Sequence, residues 1–170
     1  MKLLSWVFLM MLLAQEGFGQ DKIITHTDDV IDCKVVETSE TGVKFKYPNE
    51  DVVASLSNNI VHKIIFSSGR EQVISERVVV TGVEDWEKVQ VTNSESEVAG
   101  LRRVATFAER AQGSSWTNEG KLEQKVLSRI KKDAAAKGCH MLLILTTKGK
   151  SGGGPYSYAN SSMTAVGYSY

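Results

Sequence analysis

The stretch from Asn118 to Thr147 constrains this chain more than any other; it reads NEGKLEQKVLSRIKKDAAAKGCHMLLILTT. Leu122, Val126, Ile130 and Ala134 recur every four residues and Leu127 widens the stripe, which is the pattern of an amphipathic helix with one buried face. Lys121, Lys125, Arg129, Lys131 and Lys132 fall on the opposite arc. Asn118 or Thr117 can cap the N-terminus by accepting from a free backbone N–H. Glu119 and Glu123 suit the positive end of the helix dipole, and Lys137 the negative end. Gly138 can take the left-handed conformation that stops many helices. The following run, Met141 to Leu145, is apolar at both parities, as in a strand covered on both faces. The spacing predicts a helix over about 118–137 and a strand over about 140–147. Glu123 departs from this pattern by pointing into the apolar arc. It is either solvated in the first turn or a buried partner of Arg102 or Arg103.

The chain has 170 residues, and its beginning reads as an export signal. Lys2 is a short positive segment, Leu3 to Ala14 is apolar apart from Ser5, and Gly17 and Gly19 are small residues before a cleavage. A membrane-spanning helix would need roughly 20 apolar residues. Residues 1–19 are therefore expected to be a signal peptide, with the mature chain starting near Gln20 or Asp21. No cysteine follows the apolar run, so no lipid anchor is expected. The destination is the periplasm or the extracellular space.

Net charge is zero, which argues against a dedicated nucleic-acid binder. The halves differ in sign. Residues 21–80 hold seven Lys/Arg against ten Asp/Glu, and residues 81–170 hold twelve against nine. The two cysteines, Cys33 and Cys139, leave two readings open. An oxidising compartment permits a disulfide, while their apolar surroundings suit two buried thiols.

Residues 20–77 read as an all-β meander or small barrel. Ile31, Cys33 and Val35 alternate with polar neighbours, and so do Val43, Phe45 and Tyr47. Pro48 to Asp51 and Ser68-Gly69 are turns. About 55 residues is marginal for an independent core, so this half is expected to lean on the next. Residues 78–170 read as an α+β domain, with the one long helix packed on a sheet. Its strands are expected at about 86–92, 101–108, 140–147 and 162–170. Gly100 to Ala111 fits a helix or a strand by pattern alone. Gly149 to Ala159 reads as a loop. The fold class is thus α+β and mostly β.

Ala99-Gly100-Leu101-Arg102-Arg103-Val104, then Leu127-x-x-Ile130-Lys131-x-x-Ala134-Ala135-x-x-Gly138-Cys139-His140-x-Leu142-x-Ile144, then Val166-Gly167-Tyr168, together resemble a family of small exported proteins of Bacteroidetes-type bacteria. The second half is similar to the core of small envelope lipoproteins such as the Rcs outer-membrane stress sensor. The resemblance implies a strand at Val104 to Ala108, one helix on a sheet, and no known catalytic residues. This chain carries Cys139 where alanine is usual.

No nucleophile elbow, phosphate loop or zinc-protease signature occurs in the sequence. Gly152-Gly153-Gly154 precedes Pro155 rather than a lysine and a helix. His26, His62 and His140 are weak candidates for metal ligands, since no paired spacing supports them. No catalytic residue and no cofactor is expected. The interaction candidates are Lys121, Lys125, Arg129 and Lys132 on the helix, with Tyr156 and Tyr158 in the loop. The expected function is a non-catalytic envelope module that binds or scaffolds a protein or glycan partner. The alternative is a small metal- or ligand-binding periplasmic protein using its histidines and cysteines.

Overall fold

The computed structural model describes residues 19–114, 117–151 and 158–170. The expected signal peptide, Tyr156 and the Gly152-Gly153-Gly154 run lie outside the described residues, Gly19 excepted.

Six strands form the first sheet: β1 (Asp21–Thr25), β2 (Val30–Thr38), β3 (Gly42–Lys46), β4 (Val53–Ser57), β5 (Val61–Ile65) and β6 (Glu71–Val73). Their order is β4-β3-β2-β1-β5-β6, and every neighbouring pair is antiparallel. The two-residue alternation sets which side each residue takes. Val43 and Phe45 are buried while Lys44 between them is exposed. Ile23, Cys33, Val61 and Ile64 complete that cluster. Bulges at Ile24/Thr25 and Val35/Glu37 bend the sheet over it. The expectation of a small barrel is corrected: β4 and β6 remain edges and the sheet is open. Closure needs a consistent stagger all the way round. Here a four-strand meander is extended beside β1 by one hairpin whose last strand has three residues.

The second sheet has the order β7-β9-β10-β8 and carries the helix α1 (Glu119–Ala136) on one face. Its strands are β7 (Gln90–Thr92), β8 (Arg102–Gln112), β9 (Met141–Lys150) and β10 (Asn160–Ser169). β7 runs parallel to β9, and the other pairs are antiparallel. Leu122, Val126, Ile130 and Ala134 pack with Phe107, Leu142, Met163 and Ala165. The opposite face of β9 presents Met141 and Leu143 to Val98, Leu101 and Ile60, the last from the first half. β9 is thus covered by the helix on one side and by the joint between the halves on the other. The architecture is α+β and mostly β.

The helix ends as its sequence requires. The Asn118 side chain accepts from the Gly120 N–H at 2.8 Å. At the other end Gly138 has φ 69°. The Gly138 N–H donates to Ala135 and the Cys139 N–H to Ala134, both at 2.9 Å. These two bonds satisfy carbonyls the last turn would leave free.

Three segments differ from expectation. Trp86 is not in a strand, because Val83–Lys88 forms a 3-10 turn and only Gln90–Thr92 pairs with β9. The Asp85 carboxylate holds that turn, accepting from the Thr81 N–H and meeting Lys88 at 2.7 Å. The ambiguous Gly100 to Ala111 is strand, running to Gln112 because β10 pairs with it along its length. Burial of β9 stops early, and Leu145 is half-exposed because β7 covers only Met141 to Leu143. Gly149 and Lys150 belong to β9 rather than to a loop. Glu123 is exposed, so the solvated reading holds.

Candidate functional site

The three histidines, far apart in sequence, meet at the joint. His26 follows β1 in a turn braced by the Thr25, Thr27 and Asp29 side chains. His62 lies on β5, one residue after the buried Val61. His140 follows the helix stop and precedes β9. The Tyr170 ring joins them. It stacks on the His140 imidazole with centroids 3.9 Å apart and planes 12° apart. It meets His26 at 4.9 Å, and His26 meets His62 at 5.4 Å. The Tyr170 hydroxyl accepts from the Val78 N–H at 3.0 Å, which ties this ring to the extended linker between the halves.

Hydrogen bonding assigns one donor nitrogen on each of two imidazoles. The Ser75 hydroxyl lies 2.8 Å from the carbonyls of both Asn58 and Val61. Its single proton goes to a carbonyl, since carbonyls only accept. His26 Nε2, also 2.8 Å from Ser75 Oγ, therefore carries a proton and donates. His62 Nδ1 lies 3.3 Å from the Ser75 carbonyl and must likewise donate. His140 has no such partner. It is 2% exposed, yet among the described residues both ring nitrogens lack a hydrogen-bond partner. Buried polar groups are almost always paired, so this orphaned ring marks the site.

Two clefts flank the His140–Tyr170 stack. One, of about 360 Å³, is bounded by Arg77, Val78, Val79, Val80, His140 and Tyr170, among others. The second, of about 270 Å³, adds Asn59, Ser75, Glu76 and Gln90 around the same two rings. The Arg77 guanidinium sits over the Tyr170 ring at 5.5 Å. Among the described residues it makes no ion pair. Burial, helped by the positive charges of His26 and Arg77, pushes the His140 pKa down to about 4. Burial, then His62 and Arg77, lowers that of His26 too. Burial raises that of Tyr170. Burial is the first cause in all three cases.

The remaining candidates lie elsewhere. Cys33 and Cys139 are free and buried. The possible disulfide is not formed, because Cys33 packs in the first-half core and Cys139 beneath the helix. Burial pushes the Cys33 thiol up to about 11 and raises Cys139. Among the described residues no group of three His, Cys, Asp or Glu is placed to hold a metal ion. Lys121, Lys125, Arg129 and Lys132 are exposed on the outer helix face, away from the joint. Lys131 and Lys132 reach over the Trp86 ring at 5.7 and 5.3 Å. Tyr158 is 57% exposed. A groove of about 650 Å³ beside Cys33 is walled by charges of both signs, and Lys46 and Asp51 there lie 3.8 Å apart.

Among the described residues no helix is long and apolar enough to cross a membrane. The sequence singles out the histidines one at a time, but not Ser75 or Arg77. Each of these sits in a segment without periodicity, and no spacing rule links it to a histidine. Comparison with family models, with curated proteins and with solved structures returned no match to this chain.

Proposed function

We propose that the mature chain is an exported, non-catalytic binding module whose ligand site is the joint between its halves. The observation that carries this reading is His140, buried with both nitrogens unpartnered and bordering two clefts. A ligand or ordered water would complete its hydrogen bonding. Among the described residues the ring touches no hydroxyl, thiol or carboxylate at hydrogen-bond distance. Export is supported by the sequence at Lys2 to Gly19. Cleavage after Gly19 would leave β1, beginning at Asp21, intact.

The test is a fragment screen on the mature protein, followed by the histidine ring resonances. Compounds that bind should move the His140 and Tyr170 signals before any others. A screen in which hits leave both rings unmoved would sink the site. N-terminal sequencing of the exported protein should give a start near Gln20, and a start at Met1 would end the export reading.

A second reading places an acidic envelope protein on the helix. It rests on Lys121, Lys125, Arg129 and Lys132, which are exposed and make no ion pair among the described residues. Reversing Lys125 and Arg129 to Glu should abolish capture of such a partner from envelope extract; unchanged capture refutes it.

A further inference from the structure

The joint is polar in one sense only. Among the described residues the Arg77 guanidinium is the permanent charge that bears on His140. Among the described residues the Glu76 side chain borders the cleft of about 270 Å³ and not the one holding Arg77. Val78, Val79 and Val80 form one wall of the Arg77 cleft, with Gly138 and Ser169 beside His140 and Tyr170. A cation placed here would face the guanidinium, and a neutral apolar molecule would leave the buried His140 without a partner. An anion satisfies both His140 and Arg77.

We propose that the cleft bounded by Arg77, Val78, Val79, Val80, His140 and Tyr170 takes a small aliphatic monocarboxylate. Its carboxylate sits between the Arg77 guanidinium and the His140 ring, and its chain lies along the valines. This rests on the joint being the ligand site. Arginine presents a planar fork that matches a carboxylate's two oxygens. The volume of about 360 Å³ lies near the small end for ligand pockets, which run from about 300 to 1,000 Å³. That accommodates a short aliphatic chain.

The binding is coupled to a proton. His140 faces His26 and, behind it, His62 from the first sheet, Arg77 and Glu76 from the linker, and Tyr170 from the end of β10. With an anion in place the imidazolium gains a counter-charge, so ligand binding favours the protonated ring. Affinity should therefore rise as the pH falls below neutrality.

The experiment uses the mature protein and three probes at pH 6: hexanoate, hexanol and inorganic phosphate. Hexanoate should shift the His140 ring resonances and raise its titration midpoint. In Arg77→Gln, an exposed position whose substitution leaves the cores untouched, hexanoate affinity should fall roughly ten- to a hundredfold. If hexanol binds as well as hexanoate, the carboxylate assignment is wrong and the joint survives as a site. If phosphate binds as well as hexanoate, the apolar chain has no role and the monocarboxylate class is overturned. If neither hexanoate nor hexanol moves His140, this inference and the proposed site both fail. Full affinity in Arg77→Gln would also overturn it.

Discussion

Tyr170 lies flat on His140, ring centroids 3.9 Å apart, and the same tyrosine ring meets His26 of the first sheet at 4.9 Å. One aromatic side chain therefore bridges the end of the second sheet, the exit of the helix and the first strand pair. Around it the Ser57 hydroxyl and the Asn59 amide both donate to the Glu97 carbonyl, at 2.8 and 2.9 Å. The joint is held by directional bonds and stacked rings as well as by the small apolar cluster of Met141, Leu143, Val98 and Leu101.

Removing the bridge should loosen the joint. Tyr170→Ala loses a stacked pair and a hydrogen bond, and should lower unfolding stability by about 2–3 kcal/mol. Tyr170→Phe keeps the stack and should cost only about 0.5–1.5 kcal/mol. Urea unfolding measures both. Equal losses in the two variants would show that the stack contributes nothing.

Acid should weaken the fold through the buried histidines. A histidine whose pKa is depressed in the fold stabilises it fully above the unfolded value of about 6.5. That contribution is lost as the pH falls from there to the folded value, about 4 for His140. His26 adds in the same direction. The loss attributable to His140 should be about 2 kcal/mol between pH 6.5 and pH 4. His140→Gln should flatten that slope, and an unchanged slope in this variant would remove His140 from the account.

Ser75→Ala should cost about 1–3 kcal/mol, because it strands the His26 Nε2–H in a buried position. Its effect should shrink in a His26→Phe background, where no donor remains to be stranded. Additive losses in a double-mutant cycle would contradict the shared bond.

Gly167 is a contact point between β10 and the residue after the helix stop. A Cβ there would lie 2.7 Å from both Cys139 Sγ and Phe107 Cε2. Gly167→Ala should destabilise by about 1–3 kcal/mol through overpacking. Adding Cys139→Ala should recover part of the loss, since it removes one of the two clashing groups. No recovery would place the strain on Phe107 alone.

Neither thiol should react with an alkylating reagent in the native protein at pH 8. Both are buried, and burial raises both pKa values. Both should react at once in denaturant without reductant. A single species resistant to alkylation after denaturation would mean the disulfide does form.

What the chain's sequence determined by itself was local. The four-residue recurrence of Leu122, Val126, Ile130 and Ala134 specifies a helix and its buried face, and Asn118 and Gly138 bound it within a residue or two. The alternation at Val43 and Phe45 specifies a strand and its inward side. These are legible because neighbours along the chain decide them. Gly100 to Ala111 was not legible, since its small residues satisfy either period and only the pairing with β10 selects the strand. The turn at Trp86 was missed because the Asp85 bonds to Thr81 and Lys88 override its alternation. The site depended on tertiary structure throughout. His26, His62, His140, Arg77 and Tyr170 come from separate segments, and no spacing in the sequence records that docking two sheets places them within a few ångströms. The stretch from Asn118 to Thr147 delivers His140 to that place through the glycine stop, but only the packed joint buries the ring and leaves it without a partner among the described residues.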